Sequence, residues 1–201
     1  MPDRAVLLIR RRRPIGEPAG LVPGETSGYG VLDGSVGAGR VRLSLAELGV
    51  PIDRLVQAVI DPTPTPADVA AFDLRGRFDA VILGSHFVNN PDEQLRGALL
   101  DAARRHVTVE GDVLIEHHPI DWAETAAPTS PTPGADVGME DVRVEGPLVH
   151  AVSTYDIGGR YERVPFTARV LSEAELDDAL SGGGLRRRGR LSPTWLLAGP
   201  A

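Results

Sequence analysis

The residues of this chain that can do chemistry stand at the ends of apolar runs. Asp33 precedes the glycine-rich stretch Gly34-Ser35-Val36-Gly37-Ala38-Gly39. Such a stretch lets a ligand lie against the backbone, because glycine has no Cβ and takes positive φ. Loops of this type also hold dinucleotides and phosphates, but the details here separate the options. A dinucleotide loop needs Gly or Ala three places after its second Gly, and that place holds Arg42. The phosphate loop that ends in Gly-Lys-Ser/Thr is absent. A carboxylate at Asp33 disfavours a pyrophosphate and suits a ligand with an ammonium and a sulfonium. Asp61 lies about twenty residues further on, where an acid accepts hydrogen bonds from a ribose diol. The profile is a positively charged nucleoside without phosphate.

Two further clusters follow apolar runs: Gly84-Ser85-His86 and Glu116-His117-His118. Imidazole titrates near neutral pH, so His86, His117 and His118 are candidates for a general base. Along a strand, successive side chains point to opposite faces, so at most one or two of residues 116–118 meet one crevice. The same residues also read as hydrogen-bonded strand ends. Asp33, Asp61 and Asp68 also read as caps or turn residues, and Asn89 or Asn90 as the cap of the next helix. A metal site lacks a third ligand at sensible spacing, so no metal is expected.

The elements that position these groups follow from periodicity. Gly30–Asp33 and Leu55–Ile60 read as short strands, Phe78–Leu83 as the clearest buried strand, and Val113–Ile115 as another. Arg40–Leu48 reads as a helix with Val41, Leu45 and Leu48 on one face. Asn90-Pro91-Asp92-Glu93 opens a helix whose apolar face is Leu95, Leu99 and Ala102. Residues 119–139 read as a mobile loop, and Leu148–Tyr155 and Tyr161–Val170 as a hairpin around Asp156-Ile157-Gly158-Gly159. Ser172-Glu173-Ala174-Glu175 is a capping box that opens a helix ending at Gly182–Gly184, and Thr194–Ala198 is a last strand. Alternating strands and helices imply an α/β fold: a Rossmann-like, mostly parallel sheet with helices on both faces, antiparallel C-terminal strands and a β-hairpin insert. Asp33, Asp61, Gly84–His86 and Glu116–His118 then converge at the carboxyl ends of the strands.

The chain has 201 residues, of which 42% are hydrophobic and 24% charged, which suits one globular domain. We divide it into a loose arm at 1–27, a ligand-binding half at 28–118, a loop and hairpin insert at 119–170 that covers the ligand site, and a closing segment at 171–201. The net charge of −7 repels phosphate backbones, so nucleic acid is not an expected partner. The run Arg10–Arg13 reads as a solvated tail. The absence of cysteine excludes disulfides, thiolate nucleophiles and zinc–thiolate sites. No apolar run approaches a membrane span, and a cytoplasmic protein with no membrane partner is expected.

Val31-Leu32-Asp33-x-x-x-Gly37-x-Gly39-Arg40 resembles the first motif of class I S-adenosylmethionine-dependent methyltransferases. Asp61-Pro62-Thr63-Pro64 is similar to their second motif, Ala67–Leu74 to the segment whose acid contacts adenine, and Phe78–Asn89 to the fourth-strand motif. Thr194-Trp195-Leu196 is similar to the last strand of small members. The resemblance covers roughly residues 28 to 198 and implies S-adenosyl-L-methionine as cofactor. It implies binding by Asp33, Gly34, Ser35, Gly37, Gly39, Asp61, Asp68, Gly84 and Ser85, and methyl transfer to a small-molecule acceptor. Two features depart from the pattern. Ser35 stands where the family loop opens on glycine, and the segment from Asp61 to Asp68 lacks about fifteen to twenty residues of βαβ material. They favour an alternative, a methyltransferase-like protein that binds without turnover. A nucleotide-dependent oxidoreductase is a second alternative, opposed by Arg42. If His117 is the base, His117→Ala lowers turnover without weakening cofactor binding.

Overall fold

A computed structural model describes residues 5–11, 24–27, 54–60, 69, 73, 76–84, 86–125, 129–132, 135–157 and 159–201. Among these residues the strands are β1 (Ala5–Arg11), β2 (Gly24–Ser27), β3 (Arg54–Ile60), β4 (Phe78–Leu83), β5 (Val107–Glu116), β6 (Thr129–Thr132), β7 (Ala135–Glu145), β8 (Leu148–Ile157), β9 (Arg160–Arg169), β10 (Leu185–Ser192) and β11 (Trp195–Pro200). The helices are α1 (Glu93–His106), α2 (Trp122–Thr125) and α3 (Glu173–Gly182). Seven described strands form one sheet in the order β10-β11-β5-β4-β1-β3-β2. Strands β3, β1, β4 and β5 run parallel. Antiparallel strands close both sides, β2 against β3 and β11 against β5, with β10 outermost.

Strand β4 is the run Phe-Asp-Ala-Val-Ile-Leu, buried at every position except Asp79. A parallel strand covered on both faces has this continuous apolar character. Helix α1 lays Leu95, Leu99, Ala102 and Ala103 against β4, β5 and the apolar face of α3, and these side chains form one core with Leu176, Leu180 and Leu196. The cap of α1 lies two residues beyond the expected one. Asp92, not Asn90, accepts the N–H groups of Gln94 and Leu95 at 2.9 and 3.1 Å. The Asn90 side chain instead accepts the Asp92 N–H at 2.9 Å, folding the approach to the helix. The capping box at Ser172 is present. Gly183 caps the C-terminus of α3, and a Cβ there would stand 2.7 Å from the Leu100 Cβ, so the absent side chain lets the two helices meet.

Three expectations are corrected. The stretch expected to be a loose arm contains Ala5–Arg11, which is the middle of the sheet, hydrogen-bonded to β3 on one side and β4 on the other. Ala5–Ile9 is an unbroken apolar run, the signature of a buried parallel strand, and the arginines after it masked that signal. Residues 119–139 are not one loop, because they hold α2, β6 and the start of β7. The insert is not a lone hairpin but a four-stranded antiparallel sheet, β6-β7-β8-β9. Its second strand, β7, carries a bulge between Glu140 and Arg143, with Asp141 at φ 54°. That break interrupts the alternation that sequence reading depends on.

Strand β10 was also not expected. Its sequence, Leu-Arg-Arg-Arg-Gly-Arg-Leu-Ser, is charged on both faces, as suits a sheet edge. Arg187 pairs with Glu173 and Asp177, Arg188 with Asp112, and Arg190 with Glu173. These partners come from α3 and β5, remote in sequence. No helix of the described residues is long and apolar enough to cross a membrane.

Removing residues 1–11 should abolish the folded state rather than trim a tail, because β3 and β4 would lose their common neighbour. Circular dichroism and thermal melting of the truncated chain check this. Glu175 accepts the Ser172 N–H and the Arg169 guanidinium, and these bonds hold its carboxyl down from 4.5 to about 2. A depressed carboxylate stabilises above its unfolded pKa and loses that contribution as pH falls through the folded one. Stability at this cap should therefore decline from pH 4.5 towards about 2. Glu175→Gln should remove that part of the acid dependence in urea titrations, and Ser172→Ala should cost about 1 kcal/mol at neutral pH.

Candidate active site

The parallel pairing of β4 with β5 sets Leu83 opposite Ile115, so the residues that leave these two strands emerge side by side. Beyond β4, the buried Gly84 and then His86 lead into a 3-10 turn, Phe87–Asn89, whose three residues are buried. His86 holds a left-handed backbone conformation, φ 53° and ψ 34°. That conformation is rare for a residue with a Cβ and is found where a side chain must be aimed. Beyond β5, Glu116 and His118 turn to the same side as His86. The His86 and His118 rings stack at a centroid distance of 3.9 Å and an interplanar angle of 10°. The far face of His118 carries Trp122, the first residue of α2, at 3.7 Å and 19°. His86 Nε2 lies 3.8 Å from Glu116 Oε1. Phe166 of β9 tilts against Trp122 at 6.2 Å and brings the insert sheet to the stack. Among the described residues no set of His, Asp and Glu is arranged to hold a metal.

His117 does not join this cluster, which corrects its place among the base candidates. Its Nε2 lies 3.1 Å from the Arg190 guanidinium, which only donates, so that nitrogen's lone pair is occupied. Its Nδ1–H is thereby left to donate to the His118 carbonyl at 3.2 Å. Burial pushes the His117 pKa below the ordinary imidazole value; the bond to the His118 carbonyl opposes this, and Arg190 adds to it. The alternation at the end of β5 thus separates Glu116 and His118 from His117. Of the other expected site residues, Gly84 lies at the end of β4, while Asp33, Gly34, Ser35, Gly37, Gly39, Asp61, Asp68 and Ser85 lie outside the described residues, as do the expected strand at 30–33 and helix at 40–48.

Asn89 is placed by the sequence beside His86 after the fourth strand, but its partners and those of Trp122 were not foreseen. Asn89 is 2% exposed and accepts the His118 N–H through Oδ1 at 2.8 Å. Its Nδ2 donates to the Arg169 carbonyl at 2.8 Å. Two asparagines in a row after a strand looked like helix capping, and partners 29 and 80 residues away leave no local signal. The insert sheet also carries an open groove of about 760 Å³, bounded by Arg143, His150, Thr167 and Phe166 among others.

Comparison with solved structures finds the same architecture. DesVI from Streptomyces venezuelae superposes with a TM-score of 0.55 at 15% identity, over 100% of this chain and 85% of that one. The sugar N-methyltransferase KedS8 from a Streptoalloteichus species gives 0.57 at 16%, over 98% and 80%. CalS10 from Micromonospora echinaspora, an amino pentose methyltransferase solved with S-adenosylmethionine bound, gives 0.53 at 14%, over 100% and 84%. The fold is that of the S-adenosylmethionine-dependent methyltransferases. No protein-family profile and no curated protein matches the sequence. In this methyltransferase fold the strand order reverses beside β1, and the crevice at such a point lies outside the carboxyl ends of the strands. His86, Glu116 and His118 stand at those ends.

A histidine held neutral by burial stabilises above its unfolded pKa and loses that contribution as pH falls below about 6.5. Unfolding free energy should therefore decrease as pH is lowered through that value. His117→Gln should flatten this part of the slope in urea titrations, and an unaltered slope would exclude His117 as its source.

Proposed function

We propose that this chain transfers a methyl group from S-adenosyl-L-methionine to a small-molecule acceptor bound between the ends of β4 and β5 and the insert sheet. The observation that carries this reading is the stack of His86, His118 and Trp122 at the carboxyl ends of a sheet with methyltransferase strand order, with Phe166 of the insert closing on it. Gly84, buried directly after β4 and without a Cβ, would let the cofactor lie close to the backbone there. Asp61, the residue after Ile60 of β3, and Asp33 with its glycine-rich stretch would hold the ribose and the methionine end. When bound, the cofactor supplies a methyl group on a sulfonium, an intrinsically reactive donor.

The chain's own part is alignment, exclusion of water and removal of a proton. An oxygen or protonated nitrogen acceptor needs a base. His86 suits that task best: its side chain is 30% exposed, whereas His118 is enclosed between His86 and Trp122. Once His86 has taken the proton, Glu116 at 3.8 Å stabilises the imidazolium. Trp122, half-buried on the far side of His118, then forms part of the acceptor wall. The similarity to the sugar N-methyltransferase KedS8 and the amino pentose methyltransferase CalS10 supports an amine on a polar small molecule as the acceptor.

Calorimetric titration with S-adenosyl-L-methionine should show binding, and no heat at millimolar cofactor would overturn the reading. With a panel of amino-bearing small molecules, followed by formation of S-adenosylhomocysteine, His86→Ala should lower turnover about 10²-fold while cofactor affinity stays the same. His117→Ala should retain turnover at a pH where it folds. The reverse pattern would reassign the base.

A further inference from the structure

One side chain joins the histidine stack to the sheet above it. Asn89 closes the 3-10 turn, and its N–H donates to the His86 carbonyl at 2.9 Å, so it holds the turn that aims His86. Its Oδ1 takes the His118 N–H and its Nδ2 reaches the Arg169 carbonyl, both at 2.8 Å. Arg169 ends β9, the strand that carries Phe166, and its guanidinium is anchored on Glu175 of α3 at 2.7 Å. A buried amide with one acceptor and one donor in use is costly to misplace, since each unmade bond leaves a desolvated polar group. No other residue type offers both functions at that length, because Asp lacks the donor and Leu lacks both.

We propose that Asn89 is a positioning residue that locks His86 and His118 to the insert sheet, so that the cover of the crevice and the geometry of the stack are set together. Its consequence for catalysis rests on the crevice being the acceptor site. The lock itself does not, and it can be read without cofactor or acceptor. Trp122 is the reporter, since a protonated imidazole in ring contact quenches indole emission. Trp195→Phe removes the chain's other tryptophan.

In the Trp195→Phe background, Trp122 emission should fall as pH drops through the histidine range. Asn89→Asp keeps the acceptor for the His118 N–H and sets a carboxylate oxygen against the Arg169 carbonyl. It should retain the acid quench, while amide exchange in Arg160–Arg169 rises about tenfold over the parent at the same pH. That difference should shrink at acid pH, where the carboxyl becomes protonated and can donate again. Asn89→Leu should raise the exchange and also lose most of the quench. Unchanged exchange in Asn89→Asp overturns the proposal, as does a full quench in folded Asn89→Leu. If Asn89→Leu does not fold, the pH-reversible exchange of Asn89→Asp decides alone. A failed cofactor titration would leave these readouts intact, so the two readings fail separately.

Discussion

The candidate site depends on the register between β4 and β5. With Leu83 opposite Ile115, the chain leaves both strands at one level, and the next residues on each meet across a few ångströms. Because side chains alternate along a strand, a slip of one residue would carry Glu116 and His118 to the far face and present His117 instead. That register is held from below by the continuous apolar packing of β4 and β5 on α1 and α3. It is held from beside by β11, whose Trp195 pairs with Glu116 and whose Leu196 pairs with Ile115.

The two sides of the β5 terminus have opposite electrostatic characters. On one side, Glu116 stands beside His86 and favours its cationic form. On the other, burial and, to a lesser degree, the facing Arg190 favour the neutral form of His117, while Glu173 joins Arg190 to Arg187. In the proposed function the first imidazole accepts a proton, and its near neighbour lies turned away beside a cation. The difference arises from the parity of adjacent positions and from which helix or strand lies opposite, not from the residue type.

The insert sheet lies in the same crevice through few but specific contacts. Phe166 touches Trp122, and the Arg169 carbonyl receives the Asn89 amide. Val149, Ala151 and Ala168 are buried, while Tyr161, Val142 and Val144 remain exposed. A bulge with Asp141 in a left-handed conformation lies at the groove bounded by Arg143 and His150. Such breaks re-aim side chains beside binding surfaces.

Much of the architecture was legible in the chain itself. The apolar run 78–83, the capping box at Ser172 and the periodicity of Leu95, Leu99 and Ala102 are local patterns, and local backbone sterics and burial decide them. Strand β10 was illegible because its arginines are neutralised by Glu173, Asp177 and Asp112, which only the fold brings near. Strand β1 was legible in its apolar run but was masked by the arginines that follow. By itself the sequence determined which residue types wait at the strand ends. Only the tertiary structure decided that His86 and His118 stack, that His117 turns away and that Asn89 joins them to the insert. These outcomes depend on register and on partners up to 80 residues distant, where no periodicity reaches.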